Sequence, residues 1–528
     1  MIVYTLPQMV EAAAKRFPQK DAFRCHKQAI TYGQLNRQMN QLAHLLIDLG
    51  VKRGDRIGVY MNRSLETAVA IYGIMQAGAA FVPLDPLAPI ERIQFLLADC
   101  GIDYLISQAA QRRKLALLSP DQLKGIIGVK EAGEIPAYAW ETVQQIDKTD
   151  RPDLKVMEND LAYIMYTSGT TGKPKGIMHT HYSGLSYAKL SASRYDLTEA
   201  DRVGNHAALH FDISTFGYFS APYVGATTVI VPDAYTKIPA SLSTLMESEQ
   251  LTFWYSVPLA LIQLVQRGVL EERNLQSLRW VLFGGEPFPP KFLRSLMQTW
   301  PQAQFSNVYG PAEVNQCTYY HVPAIPSNDE PLPLGYIWDN TEMLILDEQD
   351  EVVTGGEIGE LLIRSATRMR GYWQRPDLTE KGFFIQTKVP GMPEVFYRTG
   401  DLVRLDVEGL LHFLGRKDRQ IKTRGYRVEL DEVEAILITH EAVEEAAVFS
   451  FHHEDTGLLV GAAVTLKEGQ HTDEQSLRQH VGQSLPSYAL PQHINITQTL
   501  PRTAAGKINR KALKSMFKLP SIDYKRQI

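Results

Sequence analysis

Two rhythms of apolar residues alternate over the first three hundred positions. RIGVYM from Arg56 and AFVPLD from Ala80 are short apolar runs, and between them Leu65 to Met75 carries helical spacing. LAYIMYT from Leu161, TTVIVPD from Thr227, TFWYSVP from Thr252 and WVLFGG from Trp280 are nearly continuous in apolar residues rather than alternating. A strand covered by helices on both faces has no polar side to show, so these runs predict a buried sheet assembled from βαβ units. The expected class is α/β. MIVYTLPQMVEAAAKRFPQK at the N-terminus reads as a short amphipathic helix. It lacks the basic stretch and apolar core of a signal peptide.

The pattern changes near Glu342. EMLILD, GELLIRS and LLHFLGR are short strands separated by Gly- and Asp-containing turns, which predicts a β-rich subdomain over about 335–417. GRKDRQIKTRGYR, from Gly415, is polar and basic, and helical spacing resumes after it with Leu430, Val433, Ile436 and Leu437 on one face. VEEAAVFSF, LLVGAAVTL and HINIT follow as strands, with a helix over Leu477 to Leu485. The expected division is a large N-terminal core over 1–417 and a small α+β domain over 418–528.

With 528 residues and 44% apolar content, the chain is ordinary globular material and too long for one compact core. A net charge of −5 gives no electrostatic case for nucleic acid or an anionic membrane as partner. No stretch approaches the roughly 20 apolar residues of a membrane span. Cys25, Cys100 and Cys317 are widely separated and show no metal-ligand spacing, so a reducing, cytoplasmic setting is expected.

The chemistry concentrates at Tyr166 to Gly176, YTSGTTGKPKG. A buried strand precedes it. The loop then supplies glycines at 169, 172 and 176, hydroxyls from Thr167, Ser168, Thr170 and Thr171, and the ammonium groups of Lys173 and Lys175. Glycine lets backbone N–H groups approach phosphate oxygens, hydroxyls add donors, and lysines add charge. The spacing is not G-x-x-x-x-G-K-[ST], which excludes the NTPase P-loop. The string resembles the signature loop of the adenylate-forming superfamily, which includes acyl-CoA synthetases, luciferases and the adenylation domains of nonribosomal peptide synthesis. The rest of the chain follows in that family's order: ITYGQL at Ile30, AGAAFVPLDP at Ala77, YGPAE at Tyr309, GEIGEL at Gly356, YRTGDL at Tyr397, GRKDRQIKTRGYRVEL at Gly415 and LPRTAAGKINRKAL at Leu500.

The resemblance implies roles that the residue types alone leave open. Asp401, otherwise a turn aspartate, would accept from the ribose hydroxyls of ATP. Tyr309, otherwise a core aromatic, would stack on adenine with Gly310 beside it, and Asn307 and the Gly284–Gly285–Glu286 turn would border the base. Glu313 is the expected Mg²⁺ ligand, since Mg²⁺ is suited to a carboxylate together with phosphate oxygens and water. Lys507 would bridge substrate carboxylate and α-phosphate, where charge develops as pyrophosphate leaves. Arg416 would contact the nucleotide. Asp418 matches the hinge about which the C-terminal domain turns, and Gly425 lies on the segment lining the thiol channel.

Asp212, in HFDISTFGYFSAP, sets the substrate class. In amino-acid-activating relatives an aspartate here pairs with the α-ammonium, a contact strengthened by desolvation. Ile213, Phe216, Tyr255, Val281, Phe283, Val308, Gln316 and Cys317 are expected to line the side-chain pocket, leaving room for a small, mostly apolar amino acid. Proline comes first, because Tyr255, Cys317 and YGPAEVNQCTYY resemble freestanding prolyl-activating enzymes; alanine and glycine remain open. Gln316 could serve a polar group instead. Ala312 replaces the family's usual threonine. The segment after Lys507 is too short for a carrier domain and holds no GG[HD]S-like attachment serine, so a phosphopantetheinyl carrier protein is expected to supply the acceptor thiol in trans, with coenzyme A as the alternative. An acyl-CoA ligase for a small carboxylic acid is the competing enzyme. A nucleotide sensor without chemistry is the competing class, although Lys507, Glu313 and Asp401 are all retained.

Overall fold

A computed structural model describes residues 2–169, 173–353, 355–453, 457–502 and 508–516. The chain divides into two compact units, one within Met1–Pro86, Ile93–Thr167 and Lys175–Asp418, the other within Leu87–Arg92, Ser168–Pro174 and Arg419–Ile528.

In the first unit the continuous apolar runs become the middles of two large sheets. An eight-stranded sheet runs from Gly371–Tyr372 through Lys175–Thr180, Leu161–Thr167, Ala80–Pro83, Arg56–Tyr60, Tyr104–Ser107 and Gly125–Ile127 to Ala137–Tyr138. Its strands are parallel except where Lys175–Thr180 turns back on Leu161–Thr167 and Gly371–Tyr372 joins it. A nine-stranded sheet is parallel from Gln304–Tyr309 through Trp280–Gly284, Phe253–Ser256, Arg202–Asn205 and Thr227–Ile230 to Asp21–Cys25, with antiparallel strands at both edges. Helices Leu6–Arg16, Tyr32–Asp48 and Leu65–Gln76 join residues of both sheets in one core that holds Phe23, Leu42, Ile71, Phe81 and Tyr163. From Thr67 to Gln76 the last of these helices is buried on every side, as its unbroken apolar composition requires. Thr31 caps the second helix, its hydroxyl accepting from the Gln34 N–H at 3.2 Å.

The β-rich segment forms a five-stranded antiparallel sheet, in which the long strand Met392–Leu405 pairs with Ile358–Ser365, Phe383–Val389 and Leu411–Arg416. In the second unit Gln420–Thr423 and Tyr426–Glu429 form a hairpin. Its two turn residues, Arg424 (φ 53°) and Gly425 (φ 81°), are both left-handed, the geometry whose twist matches that of the flanking strands. Helices Leu430–Ile438 and Glu474–Ser484 pack on strands Val443–His453, Gly457–Leu466 and His493–Ile496 around Val433, Val448, Val464 and Leu477. Among the described residues no helix is long and apolar enough to cross a membrane, and all three cysteines are buried and unbridged.

Candidate active site

Strand Leu161–Thr167 ends at the glycine-rich loop, and Lys175 begins the strand that returns. The Thr167 hydroxyl is buried without a hydrogen-bond partner among the described residues. Lys175 Nζ lies 3.6 Å from the fully buried Glu313 carboxylate and donates to the Tyr372 hydroxyl at 3.3 Å. Tyr372 in turn donates to Glu313 Oε1 at 2.7 Å. The Glu313 loop is held from below by His179: burial pushes its imidazole down to about 4, so it stays neutral, and Nε2–H donates to the Ala312 carbonyl at 2.9 Å. Among the described residues no three His, Cys, Asp or Glu side chains gather as a metal cluster. One buried carboxylate beside one lysine and an orphaned hydroxyl suits a Mg²⁺ whose other ligands arrive on a polyphosphate. In the second unit the Ser168 hydroxyl donates to the Arg427 carbonyl at 2.9 Å, next in sequence to Gly169. Lys173 is exposed. Thr170, Thr171, Gly172 and Lys507 lie outside the described residues.

In the first unit Asp401 and Arg416 are cross-strand partners. The Asp401 carboxylate, almost wholly buried, accepts from both Arg416 and the Tyr309 hydroxyl. Burial and the Asp401 charge hold that hydroxyl protonated, well above its ordinary range. Arg416 also forks onto Asp418, with bonds of 2.7 and 2.8 Å. Asn307 donates to the Pro333 carbonyl at 2.8 Å. Gly284 is tied to this strand by space, since a Cβ there would meet the Val308 carbonyl oxygen at 2.1 Å. Gly285 turns the chain towards Glu286 with φ 98°. Gly310 is equally confined, since a Cβ there would meet the Asn315 carbonyl oxygen at 2.1 Å.

Asp212 opens a short 3₁₀ turn, Asp212–Ser214, that passes into a π-helical turn, Phe216–Ser220. Its Oδ1 accepts from the Ile213 N–H at 2.9 Å; burial first, and the Asp212 charge after it, raise the hydroxyl pKa of Tyr163 and Tyr255. Phe216 meets Tyr255 edge-on at 5.8 Å, and both belong to a cluster with Leu282 and Val308 against which Ile213 packs. Gln316 Nε2 donates to the Tyr255 hydroxyl oxygen at 2.5 Å.

Three expected pocket residues are not brought here. Val281 and Phe283 belong to the opposite face of the sheet, with Trp254, Phe288 and Phe305. The reason is strand parity: Tyr255 pairs with Leu282 and Ser256 with Phe283, so alternate side chains leave on opposite faces. Leu282 and Gly284 take the positions expected of Val281 and Phe283. Cys317 is fully buried in a third cluster, with Val314 and Leu334, its thiol turned to the Tyr309 carbonyl at 3.7 Å.

The AMP-binding enzyme family matches residues 10–373, and the AMP-binding enzyme C-terminal domain matches residues 432–507. The chain belongs to this family. It is 32% identical over 503 residues to an L-proline--[L-prolyl-carrier protein] ligase of Pseudomonas fluorescens, covering 94% of this chain and 96% of that protein. It is 34% identical over 499 residues to a protein of the same description from Streptomyces coelicolor, covering 92% and 91%. Among solved structures IdnL1 is similar at 27% identity with a TM-score of 0.80, over 95% of this chain and 100% of that one. The protein is an adenylate-forming ligase, and adenylate-forming enzymes use ATP.

For this AMP-binding enzyme the sequence reading missed Tyr372, His179 and Leu282. Tyr372 stands in RGYWQRP and His179 in GIMHTH, and neither string carries a motif of its own. Leu282 was within reach, because anchoring the alternation of WVLFGG on Gly284 puts Leu282 and not Phe283 on the Gly284 side.

Proposed function

We propose that the protein activates a small amino acid, L-proline first, as its aminoacyl-adenylate and passes the acyl group to the phosphopantetheine thiol of a separate carrier protein. The observation that carries this reading is that Asp212 directly precedes Ile213, which packs against a cluster of Phe216, Tyr255, Leu282 and Val308, and that its charge is felt at the Tyr255 hydroxyl. An α-ammonium set against Asp212 directs its side chain into that cluster, where aromatic walls leave room for a short or cyclic group. Two relatives described as prolyl-carrier ligases, similar over nearly their whole length, support proline and the carrier thiol.

The chemistry assigned to the residues in the adenylation step is charge management, with no proton to abstract. The substrate carboxylate attacks the α-phosphorus, the bond to the β-phosphate oxygen breaks, and pyrophosphate leaves. In the second step the thiol sulfur attacks the acyl carbonyl, the bond to the AMP oxygen breaks, and the thiol proton is released with AMP. Asp401 accepts from the ribose hydroxyls, Tyr309 flanks the adenine, and Arg416 fixes Asp401. Thr167 and the loop over 168–175 take the phosphates. Glu313 would hold Mg²⁺, which when bound neutralises the departing pyrophosphate. Lys507 is assigned to the carboxylate and α-phosphate, and Asp418 to the hinge that separates adenylation from thiol transfer. The test is ATP–pyrophosphate exchange across a panel of amino acids and their des-amino carboxylic acids. Exchange with proline or another small amino acid supports the reading; exchange with carboxylic acids alone refutes it.

A further inference from the structure

The cluster against which Ile213 packs is largely apolar. Among the described residues the Tyr187 and Tyr195 hydroxyls and Trp338 Nε1 are buried there without partners, and Tyr255 meets the buried Gln316 amide. Gln316 is 3% exposed and Tyr255 5%, and their single mutual hydrogen bond uses only part of what the two groups offer. Among the described residues Gln316 Oε1 is buried with no partner and the Tyr255 O–H has no acceptor. Burial, and after it the charge of Asp212, keep that hydroxyl protonated and therefore a donor. An acceptor and a donor thus stand unfilled side by side against the wall formed by Phe216 and Val308. A buried polar group without a partner is costly, and a hydrocarbon side chain entering here satisfies neither.

We infer that this pocket is built for a short amino acid whose side chain carries a hydroxyl, and that the Gln316–Tyr255 pair is the element that reads it. The inference rests on the assignment of Asp212 to the α-ammonium. A hydroxyl donates to Gln316 Oε1 while accepting from the Tyr255 O–H, so one group completes both. Rotating the amide by 180° reverses donor and acceptor, and a hydroxyl fits that arrangement equally. A side-chain carboxylate meets an amide oxygen and no cation, and a side-chain ammonium meets no carboxylate beyond the one already engaged. Hydroxyprolines, serine and threonine fit the description, the first of them within the prolyl reading.

The experiment compares kcat/KM for pyrophosphate exchange within matched pairs: 4-hydroxy-L-proline against L-proline, L-threonine against L-valine, and L-serine against L-alanine. In the wild type, the pair of best fit should favour its hydroxylated member by about tenfold or more, since a site built around a hydroxyl strongly rejects the analogue without it. Gln316→Met should collapse that ratio to within about twofold, whatever it does to the absolute rates. Tyr255→Phe, which keeps the ring, should lower the same ratio. Preference for the hydrocarbon member in every pair of the wild type overturns the inference and leaves amino-acid activation standing. A ratio unmoved by either substitution overturns the role given to the pair. Exchange with carboxylic acids and no amino acid would instead remove the Asp212 assignment, and the inference with it.

Discussion

Phe283 and Phe216 have nearly the same burial and sit on opposite faces of one sheet, so truncating each separates stability from selectivity. Phe283 is fully buried and packs edge-on against Phe288 at 4.9 Å, away from Asp212. Phe283→Ala should cost about 3–5 kcal/mol, with the upper half favoured because an aromatic pair is lost as well. With about 2.1 cal/mol/K per residue over a unit of roughly 400 residues, about 4 kcal/mol lowers Tm by about 5 °C. The ratio of kcat/KM for proline and leucine should stay within about twofold of wild type. Phe216→Ala, on the Tyr255 face, should cost similar stability and also raise leucine relative to proline by about tenfold or more, since it removes a wall of the pocket. Thermal unfolding and pyrophosphate exchange on the same preparations decide the matter. If Phe283→Ala moves the ratio as far as Phe216→Ala does, the assignment of faces on Trp280–Gly284 is wrong.

Asp212→Ala should abolish amino-acid activation, by about a hundredfold or more, with the KM for ATP nearly unchanged, because it leaves an ammonium desolvated without its carboxylate; equal loss of ATP binding would make Asp212 structural. Lys507→Ala should cripple adenylate formation while thioester formation from supplied adenylate survives, and wild-type exchange by this variant would remove the lysine from the chemistry. Acid should weaken the first unit through its buried imidazoles. His179 and His181 are pushed down to about 4 by burial, whereas unfolded imidazoles take up protons near 6.5. The unfolded chain therefore binds more protons between those values, and stability present above about pH 6.5 is lost on acidification, by about 1.4 kcal/mol per pH unit for each histidine. Urea unfolding near neutrality and at about pH 5 measures the slope, and a flat profile refutes it.

The strands were legible because burial on both faces leaves a mark in composition. LAYIMYT, TTVIVPD, TFWYSVP and WVLFGG each occupy a strand in the middle of a sheet. That same composition hides which face each side chain takes. In WVLFGG every residue before the glycines is apolar, so nothing polar marks inside from outside, and an error of one position exchanges Leu282 for Phe283. Contacts closed by distant segments were equally silent. Tyr372 reaches Glu313 across 59 positions and His179 reaches Ala312 across 133, separations at which one chain without relatives carries no local signal. Asp401 and Arg416 lie close in sequence and on facing strands, and a hairpin register would have paired them.

The π-helical turn at Phe216–Ser220 bears on how such a pocket can be retuned. A turn of this kind holds one residue more than an α-turn, and its displaced carbonyls need other donors. Two of them have found such donors: Gly217 accepts from the Thr228 hydroxyl at 2.6 Å, and Tyr218 accepts from the Tyr72 hydroxyl. The surplus residue acts as slack in the chain. Removing one residue there would let the turn relax to an α-turn, so that the loss is absorbed locally while Ala221–Val224 keeps its seat. The pocket wall at Phe216 therefore stands on a turn that can give up a residue without unseating the helix after it.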